Sequence, residues 1–181
     1  MGIVAVQPLY AHTIGASGGF STGLAHPLLG WDHMLAMLAV GVWAAELGGR
    51  SVWKVPAAFL IAMALGAGIA VAGLPLFGVE GWIATSILVL GLLIAAPKGV
   101  SGGIAAGIVA TFALFHGHAH GAGLALSASP LAYFAGFMLT TVCLHLTGIG
   151  AGRALRSSRQ DIIRAGGIVL AAAGAWLVFA A

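Results

Sequence analysis

The segment from residue 26 to residue 41 combines two imidazoles and a carboxylate with an apolar run of membrane-spanning character. His26 and His33 are seven positions apart, so a helix brings them to nearly the same face, whereas Asp32 points about a quarter-turn away. An ionisable group inside a membrane costs about 2.5–3.5 kcal/mol on insertion scales and therefore marks a functional site. These nitrogen and oxygen donors suit a divalent transition metal, with Asp32 either a direct ligand or the group that orients a ligating histidine.

A second histidine cluster occupies residues 116–121. His116 and His120 are four positions apart and share a helix face, whereas His118 points the other way unless the helix is interrupted. The glycines interspersed with these histidines would permit such an interruption, because glycine tolerates unusual backbone dihedrals. The sequence therefore offers a second group of imidazole donors, far along the chain from the first.

The composition excludes a water-soluble globular domain. Of the 181 residues, 61% are hydrophobic and only 6% are charged, against about 25% in a soluble domain. The 29 glycines suit closely packed transmembrane helices, because small residues let the backbones approach each other. The lipid bilayer is the predicted surrounding, and the net charge of +3 does not indicate a nucleic-acid partner, because the basic residues are confined to short loops.

Hydropathy predicts six spans of about 20 residues each, which makes the fold an all-α membrane protein, a six-transmembrane-helix bundle. The spans are residues 26–47, 55–73, 80–96, 100–121, 130–150 and 163–181. All seven basic residues fall in the first, third and fifth loops: Arg50, Lys54, Lys98, Arg153, Arg156, Arg159 and Arg164. Loops rich in Lys and Arg stay in the cytoplasm, so both termini are predicted on the outer, periplasmic side of a bacterial inner membrane.

This orientation predicts that the two histidine clusters meet. The first span starts outside and the fourth ends outside, so both clusters lie at the outer face and form one site. His145 lies deeper, in the fifth span, where it serves either as a station on an ion path or as a hydrogen-bond donor to a neighbouring carbonyl. Pro27 suits a first helical turn, and Glu46 and Glu80 at span ends are expected to be solvated.

Residues 1–11 are similar to the remnant of a signal peptide, although a positive amino-terminal region is missing. Cleavage after Ala11 would make His12 the first residue, and its amine and imidazole together would chelate a metal. The alternative is a plain leader with no such role. On either interpretation, residues 12–181 form a single six-helix transport domain.

Two motifs resemble those of the HupE/UreJ family of nickel and cobalt permeases. The first runs from His26 through Trp31-Asp32-His33 to Gly41, the second is Phe112 to Gly121, and His145 with Gly148 resembles a third element. The resemblance covers essentially the whole chain from His12. It implies metal uptake that serves the nickel enzymes hydrogenase or urease. This chain departs from the family pattern at one position: a glutamate often follows the second motif in the family, whereas this chain has Gly123 there.

The leading functional hypothesis is uptake of a divalent transition metal, with Ni²⁺ first, Co²⁺ a close second and Zn²⁺ a further alternative. The candidate metal ligands are His26, Asp32, His33, His116 and His120, joined by His12, His118 and His145. A haem-binding membrane electron carrier is the alternative, since histidines in helical bundles also ligate haem. An intramembrane metalloenzyme is disfavoured, because no His-Glu-x-x-His motif occurs. The chain is therefore predicted not to be an enzyme.

Overall fold

The computed structural model describes residues 19–96, 100–125, 127, 129–156 and 159–180, and the regular structure in these ranges is helical. His12 and the leader predicted at residues 1–11 lie outside the described residues, as does Lys98. Seven helices follow one another: α1 (Phe20–Leu29), α2 (Trp31–Leu47), α3 (Ser51–Val71), α4 (Val79–Ala95), α5 (Gly102–Ala125), α6 (Pro130–Arg156) and α7 (Gln160–Ala180).

Four of these helices are long and apolar enough to cross a membrane: α3, α5, α6 and α7. The bent pair α1–α2 passes the same test as one broken span, and α4, with 17 residues, is apolar but shorter. All six predicted spans therefore coincide with a helix or a helix pair. A multi-pass helical membrane protein is established, whereas the count of six spans stays a prediction.

The prediction of one continuous helix over residues 26–47 was wrong. The chain bends by 85° between α1 and α2, at Gly30, whose backbone is extended. The side chains of Asp32 and His33, which follow Gly30, fold back over it. A Cβ at Gly30 would lie 2.9 Å from a carboxylate oxygen of Asp32 and 3.1 Å from the Nδ1 atom of His33. Pro27 accordingly lies near the end of α1 and not in a first helical turn.

Glycines set the closest approaches between helices. In the α3–α5 pair, a Cβ at Gly66 would overlap the carbonyl oxygen of Leu114, and one at Gly117 would overlap that of Met63. Backbones in lipid can approach this closely only where small residues face each other. The same arrangement recurs at Gly41 and Gly148 between α2 and α6, at Gly91 and Gly174 between α4 and α7, and at Gly23 and Gly136 between α1 and α6.

The helix pairs run in the directions that alternating spans require. Ser51 lies against Gly102 where α3 and α5 both begin, so these two helices are parallel. Ala95 at the end of α4 lies against Gly167 near the start of α7, so this pair is antiparallel. The ends of α2, α4 and α6 therefore lie at the same end of the bundle as the starts of α3, α5 and α7.

Basic side chains gather at that end of the bundle, which we call the basic end. The guanidinium of Arg156 donates a hydrogen bond to the Ala45 carbonyl (3.1 Å), and that of Arg153 lies over the Trp53 ring, 5.9 Å from its centroid. The other basic residues in the described ranges lie at or near the starts of α3 and α7: Arg50, Lys54, Arg159 and Arg164. The charge asymmetry read from the sequence thus has a structural counterpart.

The expectation that Glu46 is solvated was wrong. Its side chain is buried, and the amide of Gln160, at the start of α7, donates a hydrogen bond to its Oε2 atom. Glu80, in the first turn of α4, is exposed as expected. One of the two span-end carboxylates therefore belongs to the packing between helices.

We expect Gly117→Ala to destabilise the bundle, because its Cβ forces α5 away from the Met63 carbonyl. Overpacking of this kind costs about 1–3 kcal/mol. The measurement is the thermal unfolding temperature of the purified protein in detergent. Gly107→Ala is the matched control on the same helix, since a Cβ there meets no atom within 4 Å in the described part of the chain. Equal unfolding temperatures for the two variants would contradict the packing assignment.

Candidate metal site

Four imidazoles come together where α1, α2 and α5 meet. The ring of His26 lies 4.8 Å from that of His120, centroid to centroid. The ring of His33 lies 5.0 Å from that of His116 and 4.8 Å from that of His120. All three pairs meet edge to face. The two histidine segments therefore form one group, which we call the imidazole cluster, as the topology predicted.

The bend at Gly30 makes this cluster possible. His26 lies in the last turn of α1 and His33 in the first turn of α2, so the two rings approach α5 from different helices. A continuous helix would have stacked them two turns apart on one face. His116 and His120 then need only their ordinary spacing of one turn on α5 to contact both segments.

Asp32 is bound to its neighbour in sequence. Its Oδ1 atom lies 2.9 Å from the Nδ1 atom of His33 and also accepts the backbone N–H of His33 at 2.8 Å. An ionised carboxylate only accepts hydrogen bonds, so the imidazole donates from Nδ1 and keeps its lone pair on Nε2. Of the two roles predicted for Asp32, this contact favours the one that orients a ligating histidine.

His116 is completely buried and contacts a hydroxyl from another helix. Its Nε2 atom lies 3.1 Å from the Oγ atom of Ser86 on α4. Its Nδ1 atom, also buried, has no hydrogen-bond partner within the described ranges. A buried polar atom without a partner costs free energy, so this nitrogen is a place where a ligand would be stabilising.

Aromatic side chains enclose the cluster. The rings of Phe137 and Tyr133, both from α6, lie 5.1 Å from His120 and 5.6 Å from His26. On the side facing the basic end, Phe59 of α3 contacts His116 at 5.7 Å. His116 and His120 are buried inside this enclosure, whereas the side chains of His33 and Asp32 keep 14% and 25% of their surface exposed.

His145 lies beyond Phe59. Its ring contacts the ring of Phe59 at 5.0 Å between centroids, edge to face. The side chain is buried, and neither of its ring nitrogens has a hydrogen-bond partner among the residues described. Of the two roles left open for His145, a bond to a neighbouring carbonyl is therefore not the one observed.

His118 faces away from the cluster. Its Nε2 atom lies 3.0 Å from the carbonyl oxygen of Leu74, in the loop between α3 and α4. The glycines around it do not interrupt α5, which is continuous from Gly102 to Ala125, so His118 keeps the orientation that a continuous helix gives it. Gly117 and Gly121 instead admit the backbone of α3. His118 is thus a contact to the α3–α4 loop in this structure.

The imidazole cluster is not a finished coordination shell. Within the described ranges, no three side chains among His, Cys, Asp and Glu already converge closely enough to hold a metal ion. The imidazoles are instead packed edge to face against one another. A shared ion requires changes in side-chain torsions, and that these residues bind a metal stays a prediction.

Gly123 lies next to the cluster. A Cβ there would be 2.8 Å from the hydroxyl oxygen of Tyr133 and 3.9 Å from the Cε1 atom of His26. That hydroxyl is buried and has no hydrogen-bond partner among the described residues. At the position where the family resemblance leads us to expect a glutamate, this chain has Gly123, and the Tyr133 hydroxyl lies in the adjoining space.

Sequence reasoning missed four residues that contact the cluster: Ser86, Phe59, Tyr133 and Phe137. Ser86 and its neighbour Thr85 are the two hydroxyl side chains in the apolar run of α4, so the sequence could have flagged this pair, but not which of the two faces the cluster. Nothing in the sequence distinguishes Phe59, Tyr133 or Phe137 from other aromatic residues of the spans. Their proximity follows from helix packing alone.

The fold and the cluster define a class: a multi-pass helical membrane protein with buried imidazoles between its helices. The chain belongs to the HupE / UreJ protein family, whose model matches residues 1–177. It is 44% identical over 170 residues to Protein HupE of Rhizobium leguminosarum bv. viciae. The aligned residues cover 93% of this chain and 89% of that protein. No solved structure matches the chain. The resemblance read from the histidine motifs is therefore confirmed.

Proposed function

We propose that this protein carries a divalent transition metal across the membrane, with Ni²⁺ the first candidate and Co²⁺ the second. The observation that supports this most is the meeting of two histidine segments, about 90 residues apart, in one buried cluster. Membership of the HupE / UreJ family adds the expectation that the metal supplies hydrogenase or urease.

The donor set supports the choice of ion. Neutral imidazoles suit nickel, cobalt and zinc, whereas a site for magnesium or calcium would present mostly oxygens. The affinity order for a given site puts nickel above cobalt. A haem needs a planar gap between two axial histidines, and imidazoles in direct edge contact at 4.8 Å leave no such gap. The cluster therefore favours an ion over the haem alternative.

The position of the basic end indicates how the bundle is oriented in the membrane. Loops rich in Lys and Arg remain in the cytoplasm, so we infer that the basic end faces inward. The imidazole cluster lies toward the opposite end, beside the starts of α2 and α6. An ion would then enter from the outer side, bind the cluster and leave toward the cytoplasm.

Phe59 and His145 extend the path toward the basic end. Phe59 contacts both His116 and His145, so it separates the cluster from a second, deeper imidazole. We infer that an ion passes from the cluster to His145 when the Phe59 ring moves aside. Each station must bind weakly enough to release the ion, because conduction requires exchangeable ligation.

Binding should weaken in acid. Metal requires neutral imidazole and free histidine titrates near ~6.5, so each competing imidazole contributes a factor of about ten per pH unit below its own pKa. The measurement is a calorimetric Ni²⁺ titration of the purified protein between about pH 7.5 and about pH 5. We expect affinity to be lost across this range.

Two variants serve as controls for that titration. His33→Ala and His120→Ala each remove one competing imidazole, so their Ni²⁺ affinity should be lower and should fall less steeply with acid. An affinity that stays constant from neutral to acidic pH would exclude a histidine-dominated site. The nickel assignment would then lose its chemical basis.

A further inference from the structure

Ser86 is the contact that the sequence did not predict, and it constrains His116. Ser86 lies in the middle of α4, fully buried, and its Oγ atom is close to two groups. The carbonyl oxygen of Ile83, one turn earlier on the same helix, lies at 2.6 Å, and the Nε2 atom of His116 lies at 3.1 Å.

The hydroxyl has one proton, and the two distances assign it. A carbonyl oxygen can only accept, so the 2.6 Å contact requires the Ser86 proton to lie on the line to Ile83. Two oxygens this close without a proton between them would repel each other. The remaining contact then has Ser86 as acceptor, which makes the Nε2–H group of His116 the donor.

A neutral imidazole carries one proton, so this bond fixes the tautomer of His116. With the proton on Nε2, the lone pair lies on Nδ1, the buried atom that has no partner in the described part of the chain. His33 is arranged the other way, because Asp32 accepts from its Nδ1 atom and leaves Nε2 as the donor to a metal.

We propose that Ser86 is a positioning residue that presents the Nδ1 atom of His116 to the transported ion. The expected effect of Ser86 on metal binding rests on the proposed function, whereas the tautomer of His116 does not depend on it. Groups that bond to the second nitrogen of a ligating histidine fix its tautomer and orientation, and their loss costs 10–100-fold in metal affinity. Asp32 and Ser86 thus select opposite nitrogens on two neighbouring imidazoles.

The tautomer is tested without metal, by nitrogen NMR of the protein labelled with ¹⁵N-histidine in detergent. His116→Gln identifies the signals of that residue. We expect the protonated nitrogen of His116 to be Nε2 in the wild type and this preference to be lost in Ser86→Ala. A wild-type imidazole protonated on Nδ1 would overturn the proposal.

The consequence is tested by calorimetric Ni²⁺ titration. We expect Ser86→Ala to weaken binding by about tenfold or more, and Ser86→Thr, which keeps the hydroxyl, to restore most of it. Thr85→Ala is the matched control, because Thr85 makes the same kind of bond to the Gly81 carbonyl (2.7 Å) on the neighbouring, exposed face of α4. Thermal unfolding of each variant verifies that it is folded.

The outcomes separate the two proposals. A wild type that binds no Ni²⁺ refutes the proposed function, whatever the tautomer. A wild type that binds Ni²⁺ while Ser86→Ala matches Thr85→Ala in affinity refutes the role of Ser86. Restored binding in Ser86→Thr together with the Nε2–H tautomer in the wild type supports the positioning role.

Discussion

Replacement of His116 by glutamine should abolish nickel uptake and reduce Ni²⁺ binding at the cluster by at least about 100-fold. The amide keeps most of the volume of the imidazole and its ability to bond with Ser86, so the helix packing is retained. It offers no imidazole nitrogen to the ion, and amide oxygens are poor donors for nickel. The measurement is accumulation of radioactive nickel by proteoliposomes that contain the purified protein.

His118→Gln is the matched control, because it makes the same chemical change two positions along the same helix. Its side chain contacts the Leu74 carbonyl outside the cluster, and a glutamine amide can donate that hydrogen bond. We expect uptake by this variant close to that of the wild type. Equal losses in the two variants would mean that histidine content, and not the cluster, governs transport.

Asp32→Asn should also eliminate nickel uptake while leaving membrane expression normal. The substitution preserves volume but removes the charge that offsets part of the dehydration of the ion in a low-dielectric place. It also weakens the bond that holds the Nδ1–H group of His33, and loss of such a partner costs 10–100-fold in metal affinity. Uptake in proteoliposomes and the amount of folded protein in the membrane are the two measurements.

The control for this charge change is Asp161→Asn, in the first turn of α7 at the basic end. Asp161 is exposed and lies away from the cluster, so nickel uptake by this variant should equal that of the wild type. If Asp32→Asn transports nickel as well as Asp161→Asn does, then Asp32 acts only in the local structure of the bend.

The meeting of the histidine segments was predictable because two long-range constraints act together. Lipid forces every apolar run into a spanning helix, and the positions of the basic residues set the direction of each span. Once the first and fourth spans have opposite directions, the start of one and the end of the other lie at the same depth. This places His26, His33, His116 and His120 at the same depth, whereas their direct contact also depends on the bend at Gly30.

The details of the site depend on packing that the sequence does not encode locally. Pro27, Asp32 and His33 lie close to the bend, but the apolar run around them predicted one continuous helix. Gly30 alone does not mark the bend, since glycine occurs 29 times in this chain and most glycines are helical. Its reason becomes visible only when Asp32 and His33 fold back over it. Glu46 was misjudged for a related reason, because its burial depends on the approach of α7, more than 100 residues later.

Anomalous X-ray scattering at the nickel absorption edge, from crystals grown with Ni²⁺, tests the central claim most directly. The account predicts a dominant peak bounded by His26, His33, His116 and His120, with Ni–N distances of about 2.0–2.2 Å by analogy with other imidazole-bound metals. It also predicts that the peak disappears in His116→Gln and persists in His118→Gln. A dominant nickel peak at His118 or at the amino terminus, with none in the cluster, would contradict the account.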